Sequence, residues 1–139
     1  MLPFEFTVEG PPLSHQTRDR SRLRAWKLPV SRAASWRWRE NAPVAENLRV
    51  TVTYYHEGLE TRIDNDNLLK PIQDALIGVV YIDDRQITDT MVRETAIDGS
   101  FHVRGASWVL LEAFHRGNEF LHIIVGPAPD HATQGWGIR

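Results

Sequence analysis

Between Leu48 and Val79 the apolar residues change period, and that change restricts the fold more than any other feature of the chain. Leu48, Val50, Val52 and Tyr54 alternate with Arg49, Thr51, Thr53 and Tyr55, the pattern of a strand with one buried face. His56 to Arg62 is polar, contains Gly58 and reads as a loop. Beyond it Leu68, Ile72, Ala75, Leu76 and Val79 recur at helical steps as a one-sided stripe, with Gly78 placed as a C-terminal stop. Pro71 falls early in this helix, where a missing N–H costs little if the first turn is irregular.

The flanking elements follow from the same two periods. Leu2, Phe4, Phe6 and Val8 alternate with Pro3, Glu5, Thr7 and Glu9, predicting a strand that Gly10-Pro11-Pro12 ends. From Thr17 to about Glu40, Leu23, Trp26, Val30 and Ala33 or Ala34 take helical steps, and Pro29 predicts either one bent helix or two pieces. Val79 to Ile82 is a short apolar run, Asp83-Asp84-Arg85 a turn, and Ile87 to Ile97 extended. Two further strands are predicted at Ser107 to Phe114 and at Phe120 to Val125. From Gly126 onward two prolines and three glycines predict an irregular tail, so the chain divides into a domain over 1–125 and a tail over 126–139. The order lacks the regular alternation of a doubly wound sheet. It predicts a single α+β domain, a small mixed sheet with two main helices.

At 139 residues and 42% hydrophobic content the chain can bury one core without covalent staples. It has no cysteine, which excludes disulfides and thiolate metal sites and leaves oxygen or imidazole donors, the ligands of hard cations. No apolar run approaches the 18 or so residues of a membrane span, and the start MLPFEFTVEG lacks a signal-peptide layout; the expectation is a cytoplasmic protein with no membrane partner. The net charge of -2 hides a separation. Between positions 18 and 39 lie Arg18, Arg20, Arg22, Arg24, Lys27, Arg32, Arg37 and Arg39 with Asp19 the only acid, while nine acids fall between Glu57 and Glu94. Such a split suits a protein that grips a polyanion with one surface and holds cations with another. The plainer reading is that the two blocks pair with each other.

Asp64 and Asp66 are one residue apart, so in an extended loop both side chains point the same way and can share a cation. Asp66, Lys70 and Asp74 are spaced by four and stack on the polar face of the helix. Asp83-Asp84 follows after a length that can return the chain beside the helix start, which would gather four carboxylates. Two like charges ~5 Å apart at an effective dielectric of ~20 repel by roughly 3 kcal/mol, so such a cluster needs compensation, and a divalent cation supplies it. The alternative is an exposed acidic loop with an Asp66-Lys70-Asp74 ion-pair ladder.

The string Asp64-Asn65-Asp66-Asn67-Leu68-Leu69-Lys70, then Asp74-Ala75-Leu76, then Asp83-Asp84-Arg85-Gln86-Ile87 resembles the signature of the RusA crossover junction endodeoxyribonucleases in residue type, order and gaps. That signature is an Asp-x-Asp-Asn-x-x-Lys segment, an Asp-Ala-Leu on the following helix and an Asp-Asp-x-Gln-Val/Ile segment. Gly10-Pro11-Pro12-Leu13-Ser14 is similar to the proline-containing turn after the family's first strand, whereas the residues from Phe114 onward match nothing in it. The resemblance implies that Asp64, Asp66 and Asp84 are metal-binding carboxylates, that Asp83 is an accessory acid at the metal, and that Lys70 is a catalytic lysine. It further implies Mg2+, or Mn2+ in its place, as cofactor and four-way (Holliday) DNA junctions as substrate, in recombination and repair. Two symmetric cuts need two sites, hence a homodimer.

In the basic block Arg18, Arg20, Arg22, Arg24 and Lys27 are the candidate contacts to the DNA backbone, against a solvated face as the alternative. Trp26, Trp36 and Trp38 sit among these cations and can stack on exposed bases, although tryptophans at such spacing more often fill a core. Asn67 suits orienting a carboxylate or capping the helix. The six histidines show no metal-ligand spacing. The competing functions are a catalytically inactive or differently specific branched-DNA-binding protein and an acidic calcium-binding module. Neither has a use for Lys70.

Overall fold

The period-two segment forms the middle of a four-stranded mixed sheet in the computed structural model, which describes residues 2–39, 41–57, 64–97 and 106–132. In chain order the elements are β1 (Phe4–Glu9), α1 (Arg20–Trp38), β2 (Leu48–His56), α2 (Asn65–Leu76), a 3-10 turn (Asp84–Gln86), β3 (Ile87–Ala96), α3 (Trp108–Arg116) and β4 (Phe120–Pro127). The strands lie in the order β1-β4-β2-β3. β4 is antiparallel to both β1 and β2, while β2 and β3 run parallel through the crossover that contains α2. This is the expected α+β domain with a mixed sheet.

The alternation in the strands decides which face is covered. Phe4, Phe6 and Val8 of β1, Val50 and Val52 of β2, and Leu121, Ile123 and Val125 of β4 are buried in register on one side. The stripe of α2 closes over them, with Leu68, Ile72 and Leu76 fully buried, so truncating one of these to Ala should cost about 2–5 kcal/mol. α1 lies beside α2, with the Ser31 hydroxyl donating to the Ala75 carbonyl at 2.7 Å. Pro29 does not divide α1, which runs through as one helix of 19 residues. Pro29 and Ala25 are both exposed, so the missing helical bond falls on the exposed side of α1.

Three expectations are corrected. Ser107 to Phe114 is not a strand: Trp108–Arg116 is helical, making three α-helices instead of two. Ser107 caps it by accepting from the Leu110 N–H, and Gly117 ends it in the left-handed conformation at φ 77°. α3 covers part of the sheet's second face, where Phe114 packs edge-on to Tyr55 and Phe120. The tail expected from Gly126 begins later, because β4 continues to Pro127 and pairs Gly126 with Arg49. Lastly, the proline in α2 is not in an irregular first turn but lies midway along a 12-residue helix. The loop expected over 58–62 and the tail over 133–139 lie outside the described residues.

Candidate metal and DNA site

α2 carries most of the predicted site, and its first turn and its middle differ in what their side chains touch. Asp64 is the N-cap residue, and its carbonyl accepts the Leu68 N–H at 2.9 Å while its side chain makes no capping bond. Asp66 is exposed on the first turn, where the positive end of the helix dipole favours an acid. Among the described residues neither carboxylate has a side-chain hydrogen bond or ion pair. The turn is nevertheless held firmly. Pro71 has no N–H to give the Asn67 carbonyl, and the backbone N–H of His15 takes that place at 2.8 Å. The segment after β1 is thereby tied to the helix start, and it is the Asn67 carbonyl that makes the tie. The His15 ring keeps Nδ1 buried without a partner among the described residues.

One turn further on every charge is engaged. The Lys70 ammonium lies 3.0 Å from Asp74 Oδ1 and 2.9 Å from Asp84 Oδ2. These two hydrogen bonds, Asp84's first, hold Lys70 above the ordinary lysine range. The second oxygen of Asp74 faces Lys27 of α1 at 3.5 Å. Beneath them Tyr81 is fully buried and donates its hydroxyl to the Gln73 carbonyl at 2.6 Å. Burial first, then the charges of Asp84 and Asp74, push its phenol far above the ordinary tyrosine range.

The turn that presents Asp84 is built by Gln86. Its Oε1 accepts from the Ile82 and Asp83 N–H groups, each at 2.9 Å, and its Nε2 donates to the carbonyls of Val44 at 2.9 Å and Glu46 at 2.8 Å. Asp83 completes a capping box from the other side. Its carboxylate also grips the Arg85 guanidinium at 3.1 and 3.0 Å. The Arg85 backbone N–H first, then the guanidinium, hold Asp83 at a pKa of about 2. Gln86 was visible in the sequence only as one letter of a motif; the Asp83-x-x-Gln86 spacing of a capping box could have pointed to its bond with the Asp83 N–H, while nothing local points to its bonds with Val44 and Glu46.

The four carboxylates Asp64, Asp66, Asp83 and Asp84 therefore do not converge: among the described residues no three Asp, Glu or His side chains are gathered closely enough to hold a metal ion. Asp84 meets α2 at Lys70, about 6 Å along the axis from Asp66 at 1.5 Å per residue. The donor set still fits magnesium. That ion takes oxygen ligands, keeps several waters and is commonly bound through one or two carboxylates together with substrate phosphates, and two unengaged carboxylates stand on one turn. The extended loop expected to point them the same way is not formed: Asp64 is the N-cap and Asp66 lies in the helix.

In the basic block Arg18 precedes α1 and Asp19 caps it, accepting the Arg22 N–H at 3.0 Å. Arg20 donates to the His15 and Thr17 carbonyls at 2.6 and 3.3 Å, and Arg24 to the Ser21 hydroxyl at 3.3 Å. The guanidiniums of Arg18 and Arg22 have no such bond among the described residues, and both residues are exposed. Of the tryptophans, Trp38 is buried edge-on against Phe4, Trp26 packs against the core, and Trp36 is 78% exposed. No helix among the described residues is long and apolar enough to cross a membrane.

The family model for the endodeoxyribonuclease RusA matches residues 7–104, a span that runs from β1 through β3 and ends before α3. No curated protein matches the chain.

Proposed function

The chain belongs to the RusA endodeoxyribonuclease family, and from that membership we propose that it is a magnesium-dependent endonuclease that cuts four-way (Holliday) DNA junctions as a homodimer in recombination and repair, in the cytoplasm. The observation that carries the reading is the pairing of two unengaged carboxylates, Asp64 and Asp66, with a lysine one turn along the same helix. Asp64 and Asp66 would hold the cation, with Asp84 joining from the Gln86 turn and Asp83 keeping that turn in place. When bound, magnesium or manganese supplies charge neutralisation at the phosphate and a more acidic water.

The chain's own groups supply the rest. Lys70 has the charge and reach to stabilise the negative charge that builds on a phosphate under attack. A lysine is an ammonium at neutral pH and the bond to Asp74 favours that form, so it acts as a charge and hydrogen-bond donor and not as a base. Arg18, Arg20, Arg22 and Arg24 lie on α1 and the segment before it, beside the start of α2, where they can contact phosphates on either side of the cut. The test is cleavage of a synthetic four-way junction. Paired, symmetric nicks with Mg2+ and none in EDTA support the reading; binding without nicks in Mg2+ or Mn2+ favours a junction-binding protein without catalysis.

A further inference from the structure

We propose that Lys27 and Asp74 are positioning residues that set where the Lys70 ammonium sits, and that Lys27 serves the site through this contact and not by gripping DNA. The inference rests on the reading of Lys70 as a group at the cleavage site. Four charges form one line across three elements: Lys27 of α1, Asp74 and Lys70 of α2, and Asp84 of the turn before β3. Asp74 uses its two oxygens in opposite directions, Oδ1 toward Lys70 at 3.0 Å and Oδ2 toward Lys27 at 3.5 Å. A carboxylate held from both sides cannot turn away from Lys70 without leaving one ammonium unpaired. That matters most when Asp84 turns toward a cation. Lys70 then loses its 2.9 Å partner, and Asp74 is the anchor that remains.

Lys27 is suited to this task. Its side chain is 27% exposed, compared with 41% for Lys70, and Asp74 beside it is 23% exposed, so the outer pair is the better sheltered. The Ser31 hydroxyl, one turn along α1, donates to the Ala75 carbonyl at 2.7 Å, fixing the two helices against each other next to the pair. A position set by a neighbouring helix is more exact than one set by a long side chain alone, and misplacement by about 1 Å can cost up to a hundredfold in rate.

The experiment is a double-mutant cycle read by single-turnover cleavage of a four-way junction at saturating protein, with junction affinity measured alongside. Lys27→Met is expected to slow cleavage about tenfold with affinity unchanged, Lys27→Arg to restore most of the rate, and Lys27→Met to add nothing in a Lys70→Ala background. An unchanged rate in Lys27→Met overturns the proposal. So does a rate loss that persists without Lys70, or a fall in affinity with a flatter salt dependence, which would make Lys27 a phosphate contact. A second readout does not depend on cleavage: in metal-free Asp84→Ala protein, where Asp74 is the remaining anchor, the two Lys70 ε-protons should have distinct NMR shifts that collapse together on adding Lys27→Met and stay apart on adding Lys27→Arg. Collapse in neither variant overturns the linkage. If the parent protein does not cut, the nuclease reading falls while this readout still decides the linkage.

Discussion

The first turn of α2 and the turn below it carry similar residues and stand in opposite states. Asp64 and Asp66 are acids without a side-chain partner among the described residues, on a backbone locked by the His15–Asn67 bond. Asp74 and Asp84 are acids saturated by Lys27 and Lys70, and Asp84 rides on a turn that Gln86 ties down with four hydrogen bonds. A rigid backbone that presents unpaired charge is what a ligand site requires, because the cost of holding like charges near each other has been met in folding and is relieved on binding. A saturated cluster instead holds its own side chains in place, and Asp84 has to exchange Lys70 for the cation before it can join the site. α1 and the segment before it repeat the contrast, with Arg18 and Arg22 reaching no side-chain partner among the described residues and Arg20 and Lys27 engaged.

The comparison breaks first at Asp66. Asp66→Asn is expected to lower junction cleavage by several orders of magnitude while costing the fold no more than about 1 kcal/mol, the value of one acid at a helix start. Single-turnover rates and urea denaturation check the two halves, and a variant that cuts at the parental rate removes Asp66 from the site. Gln86→Leu should do the reverse in kind. It leaves two N–H groups and two carbonyls to find other partners, so a loss of about 2 kcal/mol in stability is expected, together with slower cleavage as Asp84 loses its place.

The pattern of α2 was legible because its stripe is one-sided: Leu68, Ile72, Ala75 and Leu76 could face only one core, and that set the polar face carrying Lys70 and Asp74. Of the states of those charges only the Lys70–Asp74 pair, at i,i+4 spacing, was legible. Repulsion among carboxylates argued for a cation as their compensation, yet Asp74 finds Lys27 47 residues away once α1 and α2 pack, and Asp84 finds Lys70 once the turn before β3 returns beside α2. The Gln86 bonds to Val44 and Glu46 are equally long-range. α3 was misread for a local reason. Val109-Leu110-Leu111 resembles a buried strand, while the informative residues were the caps, Ser107 and Gly117, and the helical spacing of Val109, Leu110, Ala113 and Phe114.

Smaller effects sharpen the contrast in the basic block and beneath the saturated cluster. Replacing Arg18 and Arg22 together with Gln should lower the slope of log affinity against log salt by about two units, and Lys27→Gln should leave it unchanged. The alkaline limb tests Tyr81, which burial and then the charges of Asp84 and Asp74 hold protonated, with Tyr54 and Tyr55 shifted the same way chiefly by burial. Their folded pKa values lie above the unfolded ones, so the stability they contribute is complete below about pH 10 and is lost as pH rises beyond it. Absorbance of tyrosinate should therefore appear together with unfolding and not before. A phenol that titrates near pH 10 in the native protein would contradict this.

The division between an open first turn that binds the cation first and a charge-paired second turn is tested most directly by titrating Mn2+ into the protein without DNA and following backbone amides by NMR, in the parent and in Asp66→Asn. The expected result is that Asn65, Asp66 and Asn67 broaden first and most in the parent and stay sharp in the variant. Broadening that begins at the Asp83–Arg85 turn, or that starts at the first turn and survives in Asp66→Asn, would contradict it.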